Sequence, residues 1–269
     1  MFAQRGWYPA TGHELRSFMA EACPPDPGAT PASLVISPHA GYRYSGAVAG
    51  AAYRQVQVPG TVVVIGIGHR PAARPNVIGL GGAWQTPLGQ AAVDAELAQA
   101  IVEATDLLAP EQGEQRDEHS LELQVPFLQH RNPDVRIVPI QVRQLSAPQC
   151  EALGRAIAGV MAGWSDPLLL VASTDLHHQP EAPGIHPPEV VPRKDQVAID
   201  RIAAFDPEGL YSQVRAEGVT MCGLLPTTVA LHAARELGAR GVQTVQHATS
   251  YDVSGSASYV VGYLSAIAR

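Results

Sequence analysis

Two short segments of the chain are apolar at almost every position: "TVVVIGI" at 61–67 and "LLLVAS" at 168–173. A strand with one face in water alternates apolar and polar residues, whereas a parallel strand covered on both faces is apolar throughout. Between these segments, apolar residues recur at helical spacing, which indicates that strands and helices alternate. The sequence therefore predicts an α/β fold over residues 1–269 as a single domain, with a mostly parallel central sheet flanked by helices on both faces.

Further strands are predicted at 34–36, 135–142, 242–250 and 258–266. Helices are predicted at 45–56, 94–104, 120–130, 147–163, 194–205, 207–217 and 223–237, with a first helix that follows Thr11 and ends before Pro24. The stretch from Pro180 to Pro192 contains five prolines and is predicted to be a long irregular loop, either a lid or a crossover.

The balance of charge and apolar residues excludes several classes of partner. The chain has 18 Lys and Arg against 25 Asp and Glu, without the basic runs of a protein that binds nucleic acid. The chain contains no stretch of about 18 apolar residues, so no membrane span is predicted. The N-terminal segment lacks the apolar core of a signal peptide. We therefore expect a cytoplasmic protein with no nucleic-acid or membrane partner.

The cysteines are three in number and form no C-x-x-C pair, so neither a disulfide framework nor a structural zinc site is predicted. Cys23 and Cys150 fall on apolar faces of predicted helices and are expected in the core. Cys222 lies just before a predicted helix, where backbone amides and the helix dipole favour a thiolate. A small buried residue beside Gly223 is the alternative interpretation of Cys222.

Residues that bind metals or transfer protons follow three of the predicted strands. His39 follows the first strand, His69 follows "TVVVIGI", and Asp175 and His178 follow "LLLVAS". The carboxyl ends of parallel strands meet at one edge of a sheet, where ligands bind in open α/β folds. One such histidine alone is more often structural. Three at the same edge predict a shared site.

Two further observations define the chemistry of this predicted site. The motif "DEHSLELQ" adds Glu118, His119 and Glu122 at the start of a helix, although a capped and solvated helix start would look the same. Imidazole and thiolate ligands suit iron, copper or zinc, whereas calcium and magnesium prefer oxygen. The remaining histidines are expected to be structural or exposed, without polar partners: His13, His130, His232 and His247.

Sequence motifs of several common enzyme classes are missing. The G-x-x-x-x-G at 41–46 is followed by Ala47 and Val48 rather than the lysine and hydroxyl of a phosphate-binding loop. The chain contains neither the G-x-S-x-G of serine hydrolases nor the H-E-x-x-H of zinc proteases.

Several segments, taken in order, resemble the Memo family, including the prokaryotic AmmeMemoRadiSam system protein B. They are "SPHAGYRYSGAVAGAAY", "GIGH", "DEHSLELQVPFLQ", "STDLHH", "MCGLLP" and "SYDVSG", together with "WYP" at 7–9 and "TPLG" at 86–89. The resemblance extends over nearly the whole chain. It implies a fold similar to that of the class III extradiol dioxygenases of the LigB type, which are non-haem iron enzymes.

The resemblance also implies a site. Its metal ligands would be His39, His69 and Cys222, and the expected metal is iron (Fe2+) or copper, with zinc ranked below them. Acid, base or supporting roles fall to Asp175, His178 and His119. The dioxygenases have a carboxylate where Cys222 stands, so ring cleavage does not follow from the resemblance. Prokaryotic relatives commonly accompany a radical-SAM protein, which implies a functional link of that kind.

Three hypotheses for the function follow. The first is a metal-dependent oxidoreductase, similar to a dioxygenase, that acts on a small-molecule or peptide ligand. The second is a non-catalytic module that binds a peptide or phosphorylated ligand in the same cleft, with Tyr42, Arg43, Tyr44 and Glu118 as its binding residues. The third, a zinc hydrolase, is ranked last because no zinc-protease pattern supplies a base.

Overall fold

The computed structural model describes residues 1–70, 74–111 and 118–269. Asp117, which begins the "DEHSLELQ" motif, lies outside the described residues. Helices are α1 (Gly12–Ala22), α2 (Tyr42–Tyr53), α3 (Ala95–Glu103), α4 (His119–Glu122), α5 (Val125–Arg131), α6 (Ala147–Ala162), α7 (Pro187–Ala203), α8 (Pro207–Ala216), α9 (Leu224–Glu236) and α10 (Ser250–Ser254). A short 3-10 helix, Phe2–Arg5, precedes them.

Strands are β1 (Leu34–Ser37), β2 (Thr61–Ile67), β3 (Val77–Gly79), β4 (Ala83–Thr86), β5 (Gly89–Ala92), β6 (Ala109–Glu111), β7 (Arg136–Val142), β8 (Leu168–Ser173), β9 (His178–Pro180), β10 (Val242–Thr249) and β11 (Tyr259–Ala268). The main sheet has the order β10-β11-β1-β8-β2-β7-β3-β6, and β9 pairs with β11. The four central strands, β1, β8, β2 and β7, run parallel. Antiparallel pairs join this centre to β11 on one side and to β3 on the other.

Helices cover both faces of this sheet, and each face has its own hydrophobic core. Alternate residues of β1 belong to different cores. Leu34 and Ile36 belong to the core that includes α3, α6, α8 and α9, whereas Val35 belongs to the core that includes α1, α2 and α5. This double coverage explains why the central strands are apolar at every position. The predicted fold class is confirmed. No helix in the described ranges combines the length and apolarity that crossing a membrane requires.

The predicted loop from Pro180 to Pro192 is wrong over most of its length. His178–Pro180 forms β9, and α7 begins at Pro187 rather than at Lys194, so only residues 181–186 are irregular. The first turn of a helix tolerates proline because its N–H groups have no partner within the helix. The many prolines therefore led to a predicted loop at a position where a helix begins.

The predicted helix at 120–130 is also two helices rather than one. It breaks between α4 and α5, and Pro126 lies in the first turn of α5. The short strands β3 to β6 were not predicted, since each has only three or four residues and little alternation of apolar and polar positions.

One fully buried carboxylate joins three elements beside the sheet edge. Asp195 of α7 accepts the His177 backbone N–H at Oδ1 (2.8 Å), and the His247 ring donates from Nε2 to Oδ2 (2.8 Å). A side chain at Gly262 of β11 would overlap this carboxylate. The expectation that His247 lacks a polar partner is therefore wrong. Asp195 lies 52 residues away in sequence, beyond the range of any local pattern.

Candidate metal centre

The site lies at the carboxyl ends of three neighbouring parallel strands. Ser37 of β1 is level with Ser173 of β8, and β8 pairs in turn with β2. His39, Asp175 and His69 each follow their strand by two residues. The loop before α9 adds Cys222, which comes from a distant part of the sequence. The structure thus brings together the strand-end residues that the sequence analysis placed at one edge.

Two imidazoles and one thiol face one another. His39 Nε2 lies 3.2 Å from Cys222 Sγ. The His39 and His69 rings have centroids 5.3 Å apart and are nearly perpendicular, at 85°. One nitrogen atom from each of His39 and His69 and the sulfur atom of Cys222 all lie within 4.8 Å of one another. This spacing allows all three side chains to contact a single ion.

His39 is buried and is held in place by Asp175 and Ser173. It is 1% exposed, its backbone N–H donates to Asp175 Oδ1 (2.8 Å), and its Nδ1 lies 2.9 Å from Ser173 Oγ. Burial, followed by repulsion from His69, lowers the pKa of His39 to about 3. The ring is therefore neutral at pH 7, the form in which histidine binds metals.

His69 is held by one carboxylate. Glu118 accepts the His69 backbone N–H at Oε2 (2.7 Å) and lies 2.8 Å from His69 Nδ1 through Oε1, which also accepts the Ser120 N–H (2.8 Å). Burial alone would raise the pKa of Glu118, but the hydrogen bonds and charge of His69 lower it to about 2. Glu118, predicted to contact substrate, thus directs both of its oxygens to groups of the protein.

His119 lies between the cluster and an aromatic wall. The centroid of its ring lies 4.1 Å from that of the stacked His69 ring and 4.5 Å from that of the Trp7 ring. Burial, followed by repulsion from His39 and His69, lowers the pKa of His119 to about 3. Trp7 is a neighbour that reasoning from single residues missed, although it belongs to the "WYP" segment of the family resemblance.

The N-terminal segment that carries Trp7 is fixed by a buried glutamate. Glu122 Oε1 accepts the backbone N–H of Phe2 and the hydroxyl of Tyr8, the latter at 2.7 Å. Glu122, one turn after His119, therefore anchors the wall rather than facing the cluster. The first residues of the chain thereby close one side of the site.

The surroundings of Cys222 favour the protonated thiol. Its Sγ accepts the Asp175 N–H at 3.3 Å, and a helix does begin two residues later. Burial and then the charge of Asp175 nevertheless raise the pKa of Cys222 well above its usual value. Burial therefore opposes the thiolate that the helix start was predicted to favour, because loss of hydration outweighs the amide dipoles.

Asp175 has a carboxyl group that titrates close to neutral pH. Its Oδ1 accepts the N–H groups of His39 (2.8 Å) and Ala40 (3.3 Å). Burial raises the pKa of Asp175 to about 6, although these hydrogen bonds oppose the change. A buried carboxyl with such a pKa can hold or release a proton at physiological pH.

We expect Asp175→Asn to stabilise the metal-free protein at pH 8. Because the pKa of Asp175 is higher in the folded chain, its contribution to stability is present below pH 4 and is lost as pH rises through about 6. An amide has no charge and avoids the cost of a buried carboxylate. The free energy of unfolding should therefore rise by roughly 1–3 kcal/mol at pH 8 and stay unchanged at pH 4. Urea unfolding at both values measures this, with Asp166→Asn on the surface as the control. An equal change at both pH values would contradict it.

The other predicted residues differ in their exposure and partners. The His178 backbone N–H donates to Thr220 Oγ1 (2.8 Å), and His178 Nδ1 lies 3.2 Å from the Thr220 carbonyl oxygen. Arg43 and Tyr44 are exposed, with the guanidinium 5.7 Å from the Tyr44 ring. Tyr42, by contrast, is 3% exposed and donates to the Leu123 carbonyl (2.6 Å) within the core. The structure therefore does not bring Tyr42 to the cleft surface.

Known proteins are similar to this chain over most of its length. A family model described as "Memo-like protein" matches residues 5–267. A MEMO1 family protein of Caldivirga maquilingensis is 40% identical over 86% of this chain and 81% of its own length. MEMO1 family protein MTH_45 of Methanothermobacter thermautotrophicus is 37% identical over 85% and 82%, and MEMO1 family protein MK0963 of Methanopyrus kandleri is 34% identical over 98% and 96%.

A solved structure supports the fold. The uncharacterized protein JW3007 of Escherichia coli K12 superimposes with a TM-score of 0.50 over 87% of this chain and 99% of that one. At 14% sequence identity this likeness concerns the fold alone. The family model and the curated relatives, by contrast, span nearly the whole sequence. The resemblance seen in the sequence is therefore confirmed: the chain belongs to the Memo family.

Proposed function

We propose that the chain binds one iron or copper ion through His39, His69 and Cys222 and acts as a metal-dependent redox protein. The observation that carries the proposal is the cluster of three ligand atoms within 4.8 Å, together with the partners of its two rings. His69 Nδ1 faces Glu118 and His39 Nδ1 faces Ser173, so each ring directs Nε2 toward the cluster. Histidines that bind metals are held in this way by acceptors behind them.

The donor set supports iron or copper over hard cations. Two imidazoles and a thiol are soft or intermediate ligands, and calcium or magnesium would require oxygen atoms. Zinc fits the same donors and ranks below iron and copper only through the family resemblance. The ion, when bound, would supply redox and Lewis-acid chemistry. A second group, His69, Glu118 and His119, is also close enough for an ion, but Glu118 already accepts hydrogen bonds from the protein.

The chain's own residues would manage protons and water around the ion. His178 Nδ1 faces a carbonyl oxygen, which only accepts, so its proton lies there and Nε2 is left to accept a proton from a ligand. Asp175, with a pKa raised to about 6 by burial, can hold a proton beside His39. His119 and Trp7 would exclude water from the opposite side. These roles for His178, Asp175 and His119 stay predictions, as does a link to a radical-SAM protein.

The non-catalytic binding module is the second candidate. Arg43, Tyr44 and Tyr259 are exposed, and the Tyr259 ring is 6.3 Å from that of His178. Exposed arginine and tyrosine side chains of this kind can bind a peptide or a phosphate group. Tyr42 and Glu118 would not take part, because their polar atoms are used inside the protein.

Metal titration separates the two candidates. Anaerobically purified protein should bind one Fe(II) or Cu(I) per chain in competition with a coloured chelator. At a metal concentration that fills the parent protein, His69→Gln should leave most chains empty, since it removes one of three ligands. His186→Gln, which changes an exposed histidine that faces Glu189, is the control and should bind as the parent does. A parent chain that takes up neither metal would refute the metal site and favour the binding module.

A further inference from the structure

One buried hydroxyl lies directly behind His39. Ser173 Oγ is 2.5 Å from the Ser120 carbonyl oxygen, 2.8 Å from Gln124 Nε2 and 2.9 Å from His39 Nδ1. Ser173 and Gln124 are fully buried, so water does not compete for these contacts. A serine hydroxyl has one proton to donate and two lone pairs with which to accept. Its three partners therefore use the full capacity of the oxygen atom.

The direction of each hydrogen bond follows from the chemistry of the partners. The Gln124 amide is oriented by Tyr53, whose hydroxyl donates to Oε1 (2.9 Å), and by the Pro38 carbonyl, which accepts from Nε2 (2.9 Å). Gln124 Nε2 can thus only donate to Ser173. The Ser120 carbonyl can only accept, so it takes the single Ser173 proton. Ser173 is left with one lone pair, and that lone pair faces His39 Nδ1.

We propose that Ser173 is a positioning residue that holds neutral His39 in the tautomer protonated at Nδ1. Since the hydroxyl proton is committed to Ser120, the contact at Nδ1 can form only if the imidazole donates. The lone pair of Nε2 then points at Cys222 Sγ, 3.2 Å away, where the proposed ion would bind. The role of this tautomer in metal binding rests on the proposed function, but the position of the proton can be measured without metal.

The same helix start controls both imidazoles. Glu118, the N-cap residue of α4, accepts from His69, and Ser120, two residues later, supplies the carbonyl that fixes Ser173. Ser120 is fixed in turn, because its hydroxyl donates to the Ile67 carbonyl at the end of β2 (2.9 Å). One turn of helix therefore sets the protonated nitrogen of both rings, through a carboxylate for His69 and through a serine for His39.

Nitrogen NMR of metal-free protein labelled with ¹⁵N-histidine tests the inference. At pH 7 we expect the His39 signals of a ring protonated at Nδ1, assigned by their loss in His39→Gln. Ser173→Ala removes the acceptor behind the ring and should shift population toward the tautomer protonated at Nε2, with Cys222 as the new acceptor. Ser265→Ala is the matched control, because Ser265 is a buried serine of the same sheet whose hydroxyl has no hydrogen-bond partner.

Metal affinity gives the second measurement. Loss of a partner behind a ligating histidine should weaken Fe(II) or Cu(I) binding by about 10- to 100-fold in Ser173→Ala, with no change in Ser265→Ala. Protonation of His39 at Nε2 in the parent protein would overturn the inference, even if Ser173→Ala does not fold. An unchanged tautomer and affinity in Ser173→Ala would also overturn it. If the parent shows the expected tautomer but binds no metal, the proposed function fails while the proton arrangement stands.

Discussion

Replacing Cys222 by serine should weaken Cu(I) binding by on the order of 100-fold or more, because a hydroxyl is a harder and poorer ligand than a thiolate. The thiol faces His39 Nε2 at 3.2 Å, so the smaller hydroxyl would stay in place but offer the wrong donor. The loss corresponds to about 3 kcal/mol of binding free energy. Competition with a copper-specific chelator under anaerobic conditions measures it.

The other two thiols provide matched controls. Cys23 and Cys150 are fully buried in the two cores, and burial raises their pKa values to about 11 and about 12. Cys23→Ala and Cys150→Ala should leave the metal affinity unchanged. All three thiols have raised pKa values, so access decides which one reacts first. Cys222 alone among the three is partly exposed, so an alkylating reagent should modify it first, and bound Cu(I) should protect it. Parental affinity in Cys222→Ser would show that Cys222 is not a ligand.

Replacing Asp195 by alanine should lower the free energy of unfolding by roughly 3 kcal/mol, because it leaves a buried N–H unpaired and removes a second hydrogen bond to the same carboxyl group. The N–H is that of His177, and the second hydrogen bond is with the ring of His247. Removing the carboxylate also leaves a cavity beside Gly262, whose missing side chain makes room for it. Chemical denaturation of metal-free protein measures the change.

Asp200→Ala is the control for this variant. Asp200 lies on the same helix, α7, but is exposed and accepts one hydrogen bond from Gln196 (2.6 Å). Surface changes of this kind usually stay within about 0.5 kcal/mol. If Asp195→Ala and Asp200→Ala proved equally stable, the buried carboxylate would have no net role in holding α7, β9 and β10 together.

The centre of the fold could be predicted from the sequence because its signals are local. Uninterrupted apolar strands identify a sheet covered on both faces, and the shared edge of parallel strands then brings His39, His69 and Asp175 together. Cys222 was a candidate because of its place before a predicted helix, and the family resemblance grouped it with His39 and His69. These predictions needed only the order of residues and the general geometry of parallel sheets.

The residues that hold the site could not be predicted in this way. Ser173 and Gln124 are separated by 49 residues, and Glu118 meets His69 from the same distance in sequence. Their roles depend on which polar atoms face each other after folding. One signal was available. Gln124 lies within the mostly apolar segment "SLELQVPFLQ", and a polar residue on a buried helix face requires a hydrogen-bond partner.

The unequal exposure of the two histidines has a consequence for the rate at which an ion could be exchanged. The His69 side chain is 32% exposed, whereas His39 lies at the bottom with 1%. An arriving ion would therefore meet His69 first and complete its coordination at Cys222 and His39. Loss of the outer imidazole should slow capture, whereas loss of the inner one should hasten escape, so stopped-flow association and dissociation rates would distinguish two ligands that equilibrium titration treats alike.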